Sequence, residues 1–350
     1  MSTIQIYFFR HLILFNILLY KMSNIKIDMS GVTPGDSLIW DDKNKVFTQT
    51  KIPFIDHSNK NLPNFIIALS GQSNSQGLNS SYDPTNPADQ PDSRIFGWNP
   101  VLAQWQIADL NTDSLGFNYL FFKQNGRQCL AFHFAKRLIE SNPNIRPGII
   151  NLGMSGATIA FWSKWKPGDK WYQISQQKVE SYEGTPCFGD GHTRNIGYLY
   201  DSHIFQINAA LQKLNKPNRF VNVICWHQGE QDPDPSGYLY DSLSLVITQY
   251  FNDLKNLGYL DTSRFGFIAG STTGSYALIA PNTASVNIQL DLLNHDSKTY
   301  TKEVDASDLE RNAYMPDGVT PDLLHFSAES QRRLGRRYFN AYRSIFFTYY

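Results

Sequence analysis

Four short apolar segments, separated by longer segments of helical periodicity, set the strongest limit on how this chain can fold. The apolar segments are residues 64–69, 148–152, 220–226 and 265–269. They are rich in Ile, Val and Phe, which is typical of strands buried on both faces. The helical patterns are residues 130–140, 198–214, 238–257 and 327–346. Because strands alternate with helices, the sequence predicts right-handed crossovers and a parallel sheet.

Composition excludes several other classes of protein. With 350 residues, 41% hydrophobic and 18% charged, the chain is neither charged enough for disorder nor apolar enough for a polytopic membrane protein. The 31 basic residues balance 31 acidic residues, so the positive charge that holds nucleic acid is missing. Cys129, Cys187 and Cys225 are too few and too scattered for a disulfide framework or a four-cysteine zinc site.

The first 21 residues form a separate apolar segment. Arg10, His11 and Asn16 interrupt it, so it falls short of the roughly 20 consecutive apolar residues that span a bilayer. Two interpretations stay open. The segment is either a signal or membrane anchor, or upstream sequence that precedes a natural start at Met22.

Residues 22–60 predict a short hairpin or linker ahead of a main domain at residues 61–350. A Pro34-Gly35-Asp36 turn precedes the strand-like runs SLIW and VFT. The stretch GVTPGDSLIWDDKNKVFTQTK resembles modules that precede functional domains in phage and viral tail-fibre proteins. That resemblance implies attachment to a virion or cell surface, and an extracellular rather than cytoplasmic location. A hairpin that only covers a sheet edge is the alternative.

Loops rich in Gly and Ser follow two of the buried strands. Residues 70–77 (SGQSNSQG) follow the first, and Ser73 is their candidate nucleophile. Residues 151–159 follow the second, where the backbone N–H of Gly156 can help to hold an oxyanion. Taken alone, each loop is also compatible with a simple turn. The chain has no G-x-S-x-G sequence, so the common lipase signature is missing.

Two more polar motifs follow the third strand and precede the last helix. Residues 226–232 (WHQGEQD) place an amide, a carboxylate and a His at a strand end, where buried polar groups need partners. A hydrogen-bonded structural corner is the alternative there. Asp322 and His325 lie three residues apart, so the carboxylate can orient the imidazole while its other nitrogen faces a serine. All four motifs lie where ligands bind in open parallel sheets.

Together these blocks resemble the SGNH/GDSL hydrolase superfamily, and within it most closely the sialate O-acetylesterase and carbohydrate esterase family 6 branch. The matching blocks are GQSNSQG, SGAT, WHQGEQD and DLLHFS. The resemblance spans residues 61–345 and implies a flavodoxin-like, three-layer α/β/α domain with a mostly parallel central sheet. It also implies removal of acetyl groups from sugars without a metal or other cofactor. The long segment 161–195 and Ser155, where a second glycine is common, depart from the family pattern.

The resemblance further implies a role for each site residue. Ser73 is the nucleophile, His325 the general base and Asp322 the carboxylate that orients it. The other implied site residues are the oxyanion donors, namely the N–H groups of Ser73 and Gly156 and the side chain of Gln228, and the supporting residues Glu230 and Asn74.

Aromatic residues are concentrated in the long segment after the second block, and aromatic rings can stack on sugar rings. They are Trp162, Trp165, Trp171, Tyr172, Tyr182 and Phe188. We expect Trp162, Trp165 and Gln72 to contact the substrate, although a small hydrophobic core beneath the loop is the alternative. Cys187, Asp190 and His192 lie in the same segment, but three ligands in one loop without a matching set do not favour a metal site.

The expected function is a serine esterase that removes O-acetyl groups from a glycan, either sialic acid or an acetylated polysaccharide, through an acyl-enzyme. One alternative is a glycan-binding virion or surface protein that keeps the fold without turnover. Another is a lipase- or thioesterase-type hydrolase of the same superfamily. The filled triad positions favour catalysis, because a protein that only binds needs no base beside a serine.

Overall fold

The computed structural model describes residues 5–6, 37–41, 46–50, 61–111, 126–181, 195–274, 283–295, 299–315 and 317–346. The chain divides into two units, Met1–Asp56 and His57–Tyr350. The described strands of the first unit are β1 (Gln5–Ile6), β2 (Ser37–Asp41) and β3 (Val46–Thr50). They form an antiparallel sheet in the order β1-β2-β3. Strands β2 and β3 lie in the two runs from which the sequence predicts a hairpin.

A seven-stranded sheet forms the centre of the second unit. Its strands are β4 (Phe65–Gly71), β5 (Phe96–Asn99), β6 (Gln104–Ile107), β7 (Pro147–Gly153), β8 (Val221–His227), β9 (Gly266–Gly270) and β10 (Thr301–Val304). The strand order is β10-β9-β8-β4-β7-β5-β6. Every neighbouring pair is parallel except β5 and β6. The predicted mostly parallel sheet is therefore confirmed, and β4, β7, β8 and β9 cover the four apolar segments.

Six α-helices are present in the described part of the chain. They are α1 (Leu130–Ser141), α2 (Tyr172–Glu180), α3 (Tyr198–Gln212), α4 (Tyr238–Asn256), α5 (Thr283–His295) and α6 (Ala328–Phe346). Helix α6 begins where the sequence predicts, because the Ser327 hydroxyl accepts a hydrogen bond from the backbone N–H of Ser330 at 3.2 Å. None of the described helices is long and apolar enough to cross a membrane.

The helices cover both faces of the sheet, which confirms the three-layer architecture. Successive residues of β4 point to opposite faces, so Ile66 and Ala68 belong to one hydrophobic core and Phe65, Ile67 and Leu69 to the other. Helices α3, α4 and α5 contribute to the first core, and α1 and α6 to the second. Both described cysteines, Cys129 and Cys225, are buried free thiols.

The central strands end at the same level, which brings three loops together. Strand β4 lies between β7 and β8, and its last residue, Gly71, pairs with Gly153 on one side and His227 on the other. The loops that begin at Gln72, Met154 and Gln228 therefore leave the same edge of the sheet. This is the edge at which ligands bind in open α/β sheets.

Candidate active site

A tight loop after β4 carries Ser73. The N–H groups of Ser75 and Gln76 both donate to the carbonyl of Gln72, at 2.9 and 3.2 Å, and the N–H of Leu78 donates to the carbonyl of Ser73 at 3.0 Å. Ser73 is almost fully buried. Within the part of the chain that the structure describes, the backbone N–H of Ser73 donates to no protein acceptor. That N–H can therefore serve a bound oxygen.

Asp322 and His325 form a buried hydrogen-bonded pair just before α6. The imidazole Nδ1 lies 3.1 Å from each carboxylate oxygen of Asp322. The backbone N–H groups of Leu324 and His325 also donate to Asp322 Oδ1, at 3.1 and 3.0 Å. A proton on Nδ1 satisfies this arrangement and leaves Nε2 unprotonated, as a general base requires.

The pKa of Asp322 is set by competing influences. Burial alone would raise it, but the hydrogen bonds from His325 and Asn79 outweigh burial and hold the pKa well below its usual range. Asp322 therefore stays ionised through the whole range in which an ester hydrolase works, and it can accept the imidazole proton throughout.

Asn74 joins the Ser73 loop to the His325 loop. Its side-chain Nδ2 donates to the carbonyl of Leu324 at 3.2 Å, and its Oδ1 accepts from the N–H of Phe326 at 3.2 Å. Asn74 directly follows Ser73, and Leu324 and Phe326 are the two neighbours of His325. The structure thus holds the candidate nucleophile and the candidate base on adjoining loops, although 250 residues separate Asn74 from Leu324.

Glu230 lies beneath the Ser73 loop and not against His325. Its Oε1 accepts from Asn74 Nδ2 at 2.6 Å, its Oε2 accepts from Gln72 Nε2, and His227 Nε2 lies 3.7 Å from Oε1. Burial alone would raise the pKa of Glu230, but His227 and the hydrogen bond from Asn74 hold it below its usual value. The carboxylate therefore fixes both neighbours of Ser73.

The expectation that Gln72 contacts substrate does not fit this geometry. Gln72 is fully buried, and its side-chain N–H donates to Glu230. The residue type is correct for a hydrogen bond to a sugar hydroxyl, but the side chain points below the loop. Gln72 is a structural partner of Glu230.

Gln228 is also held inside the protein. Its Nε2 donates to a carboxylate oxygen of Asp232 and lies 3.4 Å from the carbonyl of Ala157. Because both neighbours are acceptors, the two amide hydrogens of Nε2 are directed at them. Asp232 also accepts from Thr158 Oγ1 at 2.5 Å and pairs with Lys178 Nζ at 3.0 Å. The expected oxyanion donation by Gln228 does not match this arrangement.

Gly156 occupies a turn after β7, in which the N–H of Ala157 donates to the carbonyl of Met154 at 3.1 Å. Its φ of +73° lies in the left-handed region, which favours glycine. A Cβ at this position would meet no atom within 4 Å, so conformation rather than space explains the residue. The end of β7, just before this turn, packs directly on the Ser73 loop, since Gln76 Nε2 donates to the Gly153 carbonyl at 2.6 Å.

The structure corrects the assignment of Trp162 as a substrate-binding residue. Its side chain is fully buried in the core, and its ring contacts Trp226 edge-on with centroids 5.2 Å apart. The 3₁₀ turn Ile159–Phe161 directs it inward, so it has no face on which a sugar could stack. Trp165 is half-buried and donates from Nε1 to Ser242 Oγ at 3.0 Å. The small hydrophobic core weighed against a sugar platform is thus present around Trp162.

Of the remaining residues that the sequence singles out in the long segment, the structure describes two, Trp171 and Tyr172. Trp171 is buried and donates from Nε1 to Asp241 Oδ2 at 2.7 Å, whereas Tyr172 is half-buried. The other predicted residues, Tyr182, Cys187, Phe188, Asp190 and His192, lie outside the described residues. Across the described ranges, no group of three or more His, Cys, Asp or Glu side chains is arranged to hold a metal ion.

Asn79 is a site residue that the sequence did not reveal. Its Nδ2 donates to Asp322 Oδ2 at 2.9 Å and lies 3.1 Å from His325 Nδ1. Its φ of +63° lies in the left-handed region, which few residues other than Gly and Asn adopt readily. An Asn close behind a Gly-rich loop is the only sequence signal for it.

Comparison with known proteins gives a family match over most of the chain. The family model described as "carbohydrate esterase, sialic acid-specific acetylesterase" matches residues 63–344. Among curated proteins, none matches this sequence.

Two solved structures share the fold. A protein from Arabidopsis thaliana is 19% identical with a TM-score of 0.51, and the match covers 81% of this chain and 100% of that one. NanS is 17% identical with a TM-score of 0.52, and the match covers 80% of this chain and 97% of that one. At these identities the likeness supports the fold alone.

Proposed function

Since this chain belongs to the sialic acid-specific acetylesterase family of carbohydrate esterases, we propose that it removes O-acetyl groups from sialic acid with Ser73, His325 and Asp322 as its catalytic residues. Membership of the family makes the protein a carbohydrate O-acetylesterase. The roles of the three residues and the identity of the sugar are the parts that we propose.

The observation that carries the assignment is the bridge formed by Asn74. It holds the loop of Ser73 against both neighbours of His325, at 3.2 Å on each side. The Asp322–His325 pair lies next to this bridge, and its ionised carboxylate is within hydrogen-bonding distance of the imidazole Nδ1. Because a serine hydroxyl is a weak nucleophile, it needs an oriented base of this kind.

In the first step Ser73 Oγ attacks the carbonyl carbon of the acetyl ester, and His325 Nε2 takes the hydroxyl proton. The developing imidazolium is stabilised by the carboxylate of Asp322. Collapse of the tetrahedral intermediate breaks the bond to the sugar oxygen, which receives the proton from His325. The sugar leaves with a free hydroxyl, and Ser73 carries the acetyl group.

Backbone N–H groups are the oxyanion donors that we assign. The N–H of Ser73 has no acceptor among the described residues, and Gly156 lies in the turn that follows the neighbouring strand. Gln228 is left out because its amide hydrogens are directed at Asp232 and Ala157. In the second step water gives a proton to His325 and attacks the acetyl carbonyl carbon. Collapse of this intermediate breaks the bond to Ser73 Oγ, which takes the proton back from His325 as acetate leaves.

The proposal is tested by hydrolysis of O-acetylated sialic acid, acetylated xylan and p-nitrophenyl acetate by the purified protein. We expect Ser73→Ala to abolish turnover of all three while the protein stays folded. Ser75→Ala is the matched control, because it removes another serine of the same loop, whose hydroxyl donates to the Gln72 carbonyl at 2.5 Å. It should keep most of the activity.

Two results would contradict the proposal. Near-native turnover by Ser73→Ala would exclude Ser73 as the nucleophile. Efficient hydrolysis of acetylated xylan together with inactivity on O-acetylated sialic acid would leave a carbohydrate esterase but reject the proposed sugar.

A further inference from the structure

Asn79 has an unusual backbone and an unusual position. Among the described residues, the non-glycine residues with positive φ are Asn79 at +63° and Ala103 at +48°. Ala103 is exposed, in the β5–β6 connection, whereas Asn79 directly contacts the Asp322–His325 pair. Asn is one of the few residues that adopt this conformation at low cost.

The hydrogen bonds of Asn79 fix the orientation of its amide. Nδ2 donates to Asp322 Oδ2 at 2.9 Å and to the sulfur of Met315 at 3.3 Å. Both partners are acceptors, so Nδ2 and not Oδ1 must face them. In the tautomer that a general base needs, Nδ1 carries the proton that goes to Asp322, and the 3.1 Å contact with His325 Nδ1 is then a contact between two donors.

This arrangement restricts where the imidazole can go. Asn79 occupies one side of Asp322 Oδ2, while the backbone N–H groups of Leu324 and His325 occupy Oδ1. The carboxylate is thus held by donors from two separate loops. The imidazole Nδ1 lies 3.1 Å from each oxygen of the carboxylate that these donors hold.

We propose, resting on the proposed function, that Asn79 is a positioning residue that holds the Asp322 carboxylate and fixes the orientation of His325. The left-handed backbone at Asn79 is what aims the amide at Asp322. Other charged groups that lie against this assembly are Arg311, whose Nη1 donates to the Asp322 carbonyl at 2.7 Å, and Glu230, which binds Asn74. They are the same in every variant compared below.

The competing explanation is that Asn79 serves only the backbone of its loop. Asn79→Gly separates the two roles, because Gly keeps the left-handed conformation at no steric cost and removes only the amide. We expect Asn79→Gly to remain folded and to lose about 10- to 100-fold in kcat with an unchanged KM, as a misplaced base does. Asn79→Ala should lose at least as much.

Asn79→Asp tests the proposal through the pH dependence of the rate, which would not change if Asn79 served only the backbone of its loop. It keeps the shape of the side chain and places a carboxylate about 3 Å from the imidazole, as the Asn79 contact shows. The new carboxyl also lies against Asp322 Oδ2, where the amide donated at 2.9 Å, so the two carboxyls and the imidazole titrate as one coupled group. Because this group gains negative charge as the pH rises, the protonated ring is favoured and the acid side of the pH–rate profile should move to higher pH by about one unit. Ala103→Gly, at the other positive-φ site, is the control and should leave rate and profile unchanged.

A serine-directed organophosphate tests both the role of Ser73 and that of Asn79. The pH-dependent rate of inactivation is measured for the wild type and each variant, and the adduct is located by mass spectrometry. We expect Ser73 to be labelled, more slowly in Asn79→Gly, and with a shifted pH dependence in Asn79→Asp. If Ser73 is labelled but both variants match the wild type in rate and pH dependence, the inference about Asn79 is wrong and the proposed function stands. If the active wild type is not labelled at Ser73, the proposed function fails first and the role of Asn79 falls with it.

Discussion

Glu230→Gln is predicted to reduce stability more than it impairs the chemical step. The carboxylate accepts from Gln72 at one oxygen and from Asn74 at the other. Glutamine offers one acceptor and one NH₂ group, so one of these two buried donors must face another donor. Loss of a charge-assisted hydrogen bond costs about 1.5–3 kcal/mol, and a buried donor without a partner adds a comparable penalty. We therefore expect the free energy of unfolding to fall by about 3 kcal/mol.

The effect should depend on pH in a defined direction. Because the fold lowers the pKa of Glu230 from its ordinary value of 4.5, its contribution to stability is fully present above that value. It is lost as the pH falls through the lower pKa of the folded state. The difference in the free energy of unfolding between the wild type and Glu230→Gln should therefore be largest near neutral pH and become smaller in acid.

Glu303→Gln is the matched control, because the same substitution should act in the opposite direction. Burial, followed by repulsion from Asp305, raises the pKa of Glu303 to about 7. The folded state then binds more protons than the unfolded state between 4.5 and about 7, so stability falls as the pH rises through this window. Glu303→Gln should stabilise the protein by about 1 kcal/mol near pH 8, after allowance for solvent screening, and have little effect near pH 5.

Urea unfolding of the wild type and both variants, near pH 5 and near pH 8, measures these differences, and kcat is measured on the same samples. An unchanged free energy of unfolding in Glu230→Gln would mean that the Glu230 carboxylate does not stabilise the fold through Gln72 and Asn74. If kcat also fell in that variant as far as in Asp322→Asn, Glu230 would be the carboxylate that orients the base.

Three further predictions concern residues that the sequence assigns to the site. Asp322→Asn should lower kcat by about 10⁴-fold, because the amide favours the wrong imidazole tautomer; a mild loss in steady-state assays would contradict this. Trp162→Ala should lower the free energy of unfolding by about 3–5 kcal/mol and leave KM of the folded enzyme unchanged, and a raised KM without destabilisation would restore its role in substrate binding. Gln228→Ala should not reduce kcat at constant KM by the roughly 10²-fold expected of an oxyanion donor, and a loss of that size would return it to the oxyanion hole.

The sequence predicts the central strands well because burial on both faces leaves a strong signal. The runs that became β4, β7, β8 and β9 are almost entirely apolar. Strands β6 (QWQI) and β10 (TKEV) lie at the two edges of the sheet and mix polar with apolar residues. Edge strands face solvent on one side, so their pattern does not stand out from a loop.

The sequence predicts which motifs form the site better than it predicts where each side chain points. Gln72 and Trp162 lie in the right segments, but both are buried beneath the surface that a substrate would use. Asn79 shows the converse, since its contact with Asp322 joins positions 243 residues apart. A contact of this kind depends on how two loops meet in the fold, and no local pattern records it.

The role of Ser73 as nucleophile is tested most directly by identifying the residue that carries the acetyl group during turnover. The enzyme is mixed with O-acetylated sialic acid, quenched in acid during turnover, digested and analysed by mass spectrometry, with His325→Ala and Ser73→Ala in parallel. We expect an acetyl group on the peptide that contains Ser73 in the wild type, located at Ser73 by fragmentation, and no acetylated peptide in Ser73→Ala. Acetylation of a different residue in the wild type, or turnover by Ser73→Ala at the wild-type rate, would contradict this role.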